Sequence, residues 1–252
     1  MKKTLLLLFI LICLKGFTQT DTVFYNANND SVASLSLATK YKTISHSAAA
    51  PSEEIRREYT KAGQLIAEDY YYINKGAVIP ERNAKERMGT SHRWYNSGKI
   101  KSVIVYTDDK INGSCKTYWE NGQIKRNDVF ENGKFILGNC YTPQGKDTLH
   151  YDFEIMPEFK GGVSEMMKYL QKNIKISEKS KDDYVHGKVF VKFIVNKDGS
   201  ISDVSILKGS GEQEFDNDVI RVVKEMPKWN PGKDDGTPIR VYFSIPIFIK
   251  FQ

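Results

Sequence analysis

Alternating and helically spaced apolar positions organise the C-terminal part of the chain. Val189, Val191, Phe193 and Val195 alternate with Phe190, Lys192 and Ile194, the period-two pattern of a strand with one strongly apolar face. Val241, Phe243, Ile245, Ile247, Ile249 and Phe251 alternate in the same way with Tyr242, Ser244, Pro246, Phe248 and Lys250, which predicts a last strand over Ile239 to Phe251. Pro246 has no N–H for a ladder, so this strand is expected to keep a free edge. Val163, Met166, Met167, Leu170 and Ile174 follow Gly161-Gly162 at helical spacing, with Asn173 as a stop. Phe215, Val219, Val222, Val223 and Met226 form a second stripe that Pro227 ends. This second helix is expected to start at Ser210, with Gln213 completing a capping box. Glu212, Glu214 and Asp216 near its start, and Arg221, Lys224 and Lys228 near its end, suit the helix dipole. Asp198-Gly199 turns the first strand back into Ile201 to Leu207. The order helix, hairpin, helix, strand predicts a small two-helix α+β sandwich.

Upstream the pattern is a repeat. An aromatic residue is followed four positions later by glycine in Tyr59 to Gly63, Trp94 to Gly98, Tyr118 to Gly122 and Tyr141 to Gly145, and further glycines precede the last three at Gly89, Gly113 and Gly138. Asn121-Gly122 and Asn132-Gly133 sit among β-formers such as Ile124, Val129, Phe130, Phe135 and Ile136. Each pair predicts a tight type I′ hairpin, because both residue types tolerate positive φ. Turns at this spacing describe a meandering antiparallel sheet. Ahead of it, Thr22 to Tyr25 is a short strand candidate and Ala48-Ala49-Ala50-Pro51 a connector.

The repeat bears on the cysteines. Cys115 and Cys140 each lie two residues after a repeat glycine, and so occupy equivalent sites in successive hairpins. Equivalent strands one hairpin apart are separated by two strand spacings, ~9.5 Å, whereas a disulfide needs Cα atoms within about 7 Å. Two partly buried thiols with no bond between them are expected.

Composition adds the compartment. Of 252 residues 27% are charged and 12% aromatic, so the chain is folded and long enough for two modest domains. A formal charge of +6, with lysines interleaved among acids, shows no basic stripe of the kind nucleic acid requires. Lys2 and Lys3 precede the apolar run Leu5 to Leu14, and small residues follow at Gly16-Phe17-Thr18. This is the form of a secretory signal peptide cut after Thr18, the apolar run being well short of the ~20 residues that span a bilayer. A lipoprotein signal at Cys13 is disfavoured by Ile12, where a small residue is wanted. The expected division is a signal peptide over 1–18, a lead segment over 19–55, a β-repeat region over 56–150 and an α+β domain over 151–252, the boundary falling near Asp147 to Phe153.

Two family resemblances follow. Gly113-Ser114-Cys115-Lys116-Thr117-Tyr118-Trp119-Glu120-Asn121-Gly122-Gln123-Ile124-Lys125 resembles a MORN-type repeat of the YwqK-like group, over roughly 56–150. Such repeats imply an elongated contact sheet without catalytic residues. Met156-Pro157-Glu158-Phe159-Lys160-Gly161-Gly162, Asp198-Gly199-Ser200-Ile201, Met226-Pro227-Lys228-Trp229-Asn230-Pro231-Gly232 and Ile245-Pro246-Ile247 together resemble the TonB C-terminal domain in the form common in Bacteroidetes. Lys160 stands where that family usually has proline. The resemblance implies a periplasmic domain that takes up the box peptide of an outer-membrane receptor as an added strand. By that analogy the acceptor is the terminal strand, with Ile239, Arg240, Tyr242, Ser244 and Phe248 as binding residues. It also implies inner-membrane proton-channel motor proteins as partners if the N-terminus is retained. A transducer further needs a membrane anchor and usually a proline-rich spacer, whereas this chain holds 8 prolines and a β-repeat where the spacer would lie. A non-transducing periplasmic adaptor is the alternative.

Catalysis finds no constellation, and no cofactor is implied. His46, His92, His150 and His186 stand apart with no metal-ligand spacing. Gly209-Ser210-Gly211 is a helix entry and not a nucleophile elbow. Gly161-Gly162 lacks the rest of a phosphate loop. Asp182-Asp183 and Asp234-Asp235 fall in predicted turns, where solvation accounts for them.

Overall fold

A computed structural model describes residues 17–27, 29–47, 50, 52–73, 85–175 and 188–248. Most of the expected signal peptide, the loop Ser177 to Asp183, His186, Ile249 and Phe251 lie outside these residues, as does the connector apart from Ala50. The chain divides into two compact units, Met1–His150 and Tyr151–Gln252.

The first unit is one antiparallel sheet. Its strands are β1 (Phe17–Tyr25), β2 (Ser31–Val32), β3 (Lys40–Ser47), β4 (Glu53–Thr60), β5 (Leu65–Ile73), β6 (Lys85–Arg87), β7 (Gly89–Trp94), β8 (Ile100–Thr107), β9 (Lys110–Tyr118), β10 (Ile124–Glu131), β11 (Lys134–Tyr141) and β12 (Asp147–Thr148). They follow the order β12-β11-β10-β9-β8-β7-β5-β4-β3-β1-β2, with β6 also on β5. The sheet thus reaches well upstream of the recognisable repeat, through segments such as Lys40–Ser47 that the sequence pattern left blank.

Four turns are built alike. The Gly63 N–H donates to Thr60 O (2.9 Å) and the Thr60 N–H to Gln64 O (2.8 Å), and the same pair of bonds recurs at Tyr95/Gly98, Trp119/Gly122 and Thr142/Gly145. In each the glycine alone takes positive φ, 77–91°, which is a type I turn closed by a glycine bulge. This corrects the expectation for Asn121-Gly122, which is not a type I′ turn. The strands it joins are separated by five residues, Trp119 to Gln123, too many for a two-residue loop. Asn132-Gly133 does form one, with φ 50° and 82° and Glu131 opposite Lys134. Asp108-Asp109 forms another, which the sequence did not announce.

Side chains couple one turn to the next. Gln64 Nε2 donates to Tyr95 O (3.3 Å), the Tyr95 hydroxyl to Tyr118 O (2.7 Å), Trp119 Nε1 to Tyr141 O (2.9 Å) and Asn121 Nδ2 to Pro143 O (2.7 Å). The donors Tyr95 and Trp119 each stand one residue after a repeating aromatic, and the acceptors are the carbonyls of the repeating Tyr118 and Tyr141. Lys101 and Lys125, each six residues after such a donor, lie over the rings of Tyr95 and Trp119.

One face of this sheet is buried and unexpectedly polar. Register aligns Cys140, Arg126, Thr117 and Ser102 in one row, and Asp128, Cys115, Ile104 and Ser91 in the next; all are buried. Arg126 and Asp128 have no exposed side-chain surface and form an ion pair, joined by His150 Nε2 at 3.0 Å from Asp128 Oδ2. Cys115 and Cys140 remain thiols on β9 and β11, with β10 between them.

The second unit stacks two helices, α1 (Gly162–Asn173) and α2 (Gln213–Lys224), on a sheet of order β15-β14-β18. These strands are β14 (Lys188–Val195), β15 (Ile201–Lys208) and β18 (Val241–Phe248). Three short strands, β13 (Glu154–Ile155), β16 (Lys233–Asp234) and β17 (Thr237–Pro238), make a second small sheet. The core gathers Met166, Leu170 and Ile174, the stripe of α2, the odd-numbered residues Val189 to Val195, and Ile245 and Ile247. At its centre the Trp229 ring meets Phe159, Phe193 and Phe243 at centroid distances of 5.3–5.7 Å.

Two expectations are corrected. Val163 is 71% exposed and leaves the stripe of α1, whose inner face begins at Met166. The second helix starts at Gln213, and no capping box forms. Gly211 has φ 101°, which breaks the helix. The Ser210 hydroxyl instead accepts from the Glu212 N–H (3.0 Å) and donates to Asp216 Oδ1 (2.8 Å).

Candidate functional site

β18 pairs with β14 alone, in an unbroken register from Lys188↔Phe248 to Val195↔Val241. Its other side carries no strand among the described residues. Pro246, opposite Phe190, lies inside that register. A proline is accommodated in a ladder where its nitrogen points away from the neighbour. Backbone direction alternates along a strand, so the even-numbered residues Tyr242, Ser244 and Phe248 also direct their N–H and C=O groups to the open side. Ile245 and Ile247 anchor the strand from its inner face.

The expected binding residues fall into two groups. Tyr242, 69% exposed, and Ser244, also exposed, stand on the sheet face away from the helices. Phe248 ends the strand on the same parity, its side chain lying outside the description. Ile239 and Arg240 precede β18. The Ile239 N–H is bonded to Gly232 O (2.9 Å). Arg240 reaches Asn196 Oδ1 (3.2 Å) and Asp203 Oδ2 (3.3 Å), tying the start of β18 to the β14–β15 hairpin. Asp203 takes φ 53° inside β15, a kink with no sequence signal beyond an aspartate in an apolar run.

The turn between β14 and β15 is held by charge. Lys228 Nζ lies 2.7 Å from Asp198 Oδ2, and the Ser200 hydroxyl and N–H donate to Asp198 Oδ1 at 2.6 and 3.1 Å. The lysine bond first, then those from Ser200, hold the Asp198 carboxyl well below the ordinary carboxylate range. Behind it Trp229 N–H donates to Gly199 O (2.9 Å), locking the loop Met226 to Gly232 against the hairpin.

Among the described residues no three His, Cys, Asp or Glu side chains gather as metal ligands. His46, His92 and His150 each face a carboxylate, Glu54 at 4.0 Å, Glu68 at 3.9 Å and Asp128 at 3.0 Å. Sequence spacing missed these pairings because cross-strand neighbours are far apart in the chain.

Comparison with known proteins finds a family match within the second unit. Residues 173–250 match the family of the Gram-negative bacterial TonB protein C-terminal. The match includes β14, α2 and β18, and starts downstream of Met156 to Gly162. No curated protein sequence matches the chain. Similar solved structures include two NMR solution structures of the Helicobacter pylori TonB-CTD. That of residues 194–285 is 18% identical with a TM-score of 0.30, covering 36% of this chain and 94% of that one. That of residues 179–285 is 17% identical with a TM-score of 0.28, covering 36% and 80%.

Proposed function

We propose that this is a TonB-like periplasmic protein whose second unit binds TonB-dependent outer-membrane receptors and so contributes to energy-coupled transport. The receptor's box peptide adds as a strand to the open edge of β18, where main-chain hydrogen bonds supply affinity. One observation carries this reading: within the segment that matches the TonB family, β18 is paired on one side only among the described residues. Tyr242, Ser244 and Phe248 line the added strand, and Ile239 and Arg240 fix its entry. On this reading the repeat sheet of the first unit, whose sequence resembles MORN-type repeats, serves to present this module. NMR titration of the full-length chain with receptor box peptides is expected to give saturable amide shifts concentrated in 241–248. Saturation with shifts elsewhere, or no shifts at millimolar peptide, refutes strand addition at β18.

A second reading is favoured by the sheet that runs from Phe17 to Thr148, where a transducer has an extended spacer. In that reading the protein is a periplasmic adaptor that binds receptors without transmitting force. The mass of the mature protein separates the two. Loss of residues 1–18 supports the adaptor, while a retained N-terminus supports coupling to inner-membrane motor proteins.

A further inference from the structure

The solvent face beside the open edge is cationic. Register places Lys208, Phe190 and Pro246 in one row, Ser205, Lys192 and Ser244 in the next, and Ser202, Ile194 and Tyr242 in a third. Lys188, Lys192 and Lys208 are exposed, and β14 and β18 contain no Asp or Glu. Asp203, the one carboxylate of β15, is drawn off by Arg240 at 3.3 Å. Lys188 lies over the Phe190 ring. Lys192 has no carboxylate at ion-pair distance among the described residues.

Resting on the strand-addition reading above, we propose that the partner of β18 is an acidic extended segment of another protein. Its carboxylate side chain lies opposite Ser244, on the solvent face, where Lys192 neutralises it. An added strand runs one spacing beyond β18 and two beyond β14, ~9.5 Å from the Lys192 backbone. A lysine side chain spans most of that distance, and Ser244, small and directly between, lets it cross. The position opposite Tyr242 takes an apolar residue against the exposed ring. Serine and lysine in one row thus read charge at a defined place in the partner, while the backbone edge reads only that it is extended.

The test uses the full-length chain and two blocked octapeptides of alternating valine and threonine, one with a central glutamate and one with glutamine there. At low salt the glutamate peptide is expected to bind about threefold more tightly, the size of one exposed ion pair, and the preference should vanish near 0.5 M salt. Lys192→Glu should reverse the preference, whereas Lys224→Glu on α2, an equal change of net charge, should leave it intact. Equal binding of the two peptides overturns the acidic preference and leaves strand addition standing. Failure of both peptides to bind overturns strand addition, and this inference with it. A preference that survives Lys192→Glu overturns the assignment of that lysine.

Discussion

Two glycines allow one steric contribution to be separated from another. Gly122 and Gly199 occupy the same place in the same kind of turn: the Gly122 N–H bonds to Trp119 O and the Gly199 N–H to Asn196 O, with φ 91° and 82°. A methyl group added at Gly122 meets nothing within 4 Å. At Gly199 it falls well inside contact distance of the Trp229 carbonyl oxygen, with the Trp229 carbon and nitrogen at 3.1 and 3.3 Å. Backbone atoms cannot rotate away as a side chain does. Gly122→Ala therefore carries only the left-handed penalty, about 1–2 kcal/mol. Gly199→Ala carries the same penalty and also forces the Trp229 backbone off the hairpin. That loses the 2.9 Å bond from Trp229 N–H to Gly199 O, worth about 1 kcal/mol. It also loosens the ring from its three aromatic neighbours, for a total of roughly 4 kcal/mol. Urea unfolding followed by amide hydrogen exchange resolves the two units, each mutation being read on its own unit's transition. A difference between the two losses of less than about 1 kcal/mol would refute the close-approach reasoning.

Three further outcomes are expected. Pro246→Val should change the stability of the second unit by no more than about 0.5 kcal/mol, because the new N–H points to solvent; a gain near 1 kcal/mol in thermal unfolding would instead place it in the ladder with β14. Arg126→Met should cost the first unit about 3–5 kcal/mol by urea unfolding, since the buried Asp128 loses its guanidinium partner and keeps only the part-exposed His150 beside it; a loss under about 1 kcal/mol contradicts this. Asp198 titrates below its unfolded value, so its contribution to stability is present above the ordinary carboxylate pKa of about 3.9 and is lost as pH falls through the lower folded value. Lys228→Met should move its midpoint, followed by carboxyl-carbon NMR, back toward the ordinary value, and an unmoved midpoint removes the lysine as the main cause.

Legibility in the sequence tracked how one-sided the burial is. β14 and β18 bury their odd-numbered residues, Val189 to Val195 and Ile245 to Ile247, and their alternation could be read directly. β3 and β4 carry lysines, glutamates and arginines that pair across strands, as Lys40 and Lys42 with Glu58, or along one strand, as Arg56 with Glu54, so the period-two signal is not apolar at all. The same masking hid the buried pair Arg126 and Asp128, since charge in a chain read alone implies solvent. Turn type escaped because the number of residues between strands decides it, and the dipeptide Asn-Gly fits both geometries found here. The edge of β18 was legible through one residue, Pro246, whereas Asp203 and Arg240, which anchor the strand's entry, met only in three dimensions.

The strand order also fixes how the first unit answers a pull. Its first long strand, β1, and its last strand, β12, lie at or beside opposite margins of the sheet. Tension applied between them acts across the strands and loads interstrand bonds in succession, as in opening a zip, rather than all together as in shear. Each hairpin repeat is tied to its neighbour by a donor such as Tyr95 or Trp119, 22–23 residues from its acceptor. Extension would therefore come in steps of one repeat, each releasing roughly 75 Å of chain. A sheet that peels in this way lengthens at low force and closes again when slack returns, the behaviour of an extensible tether.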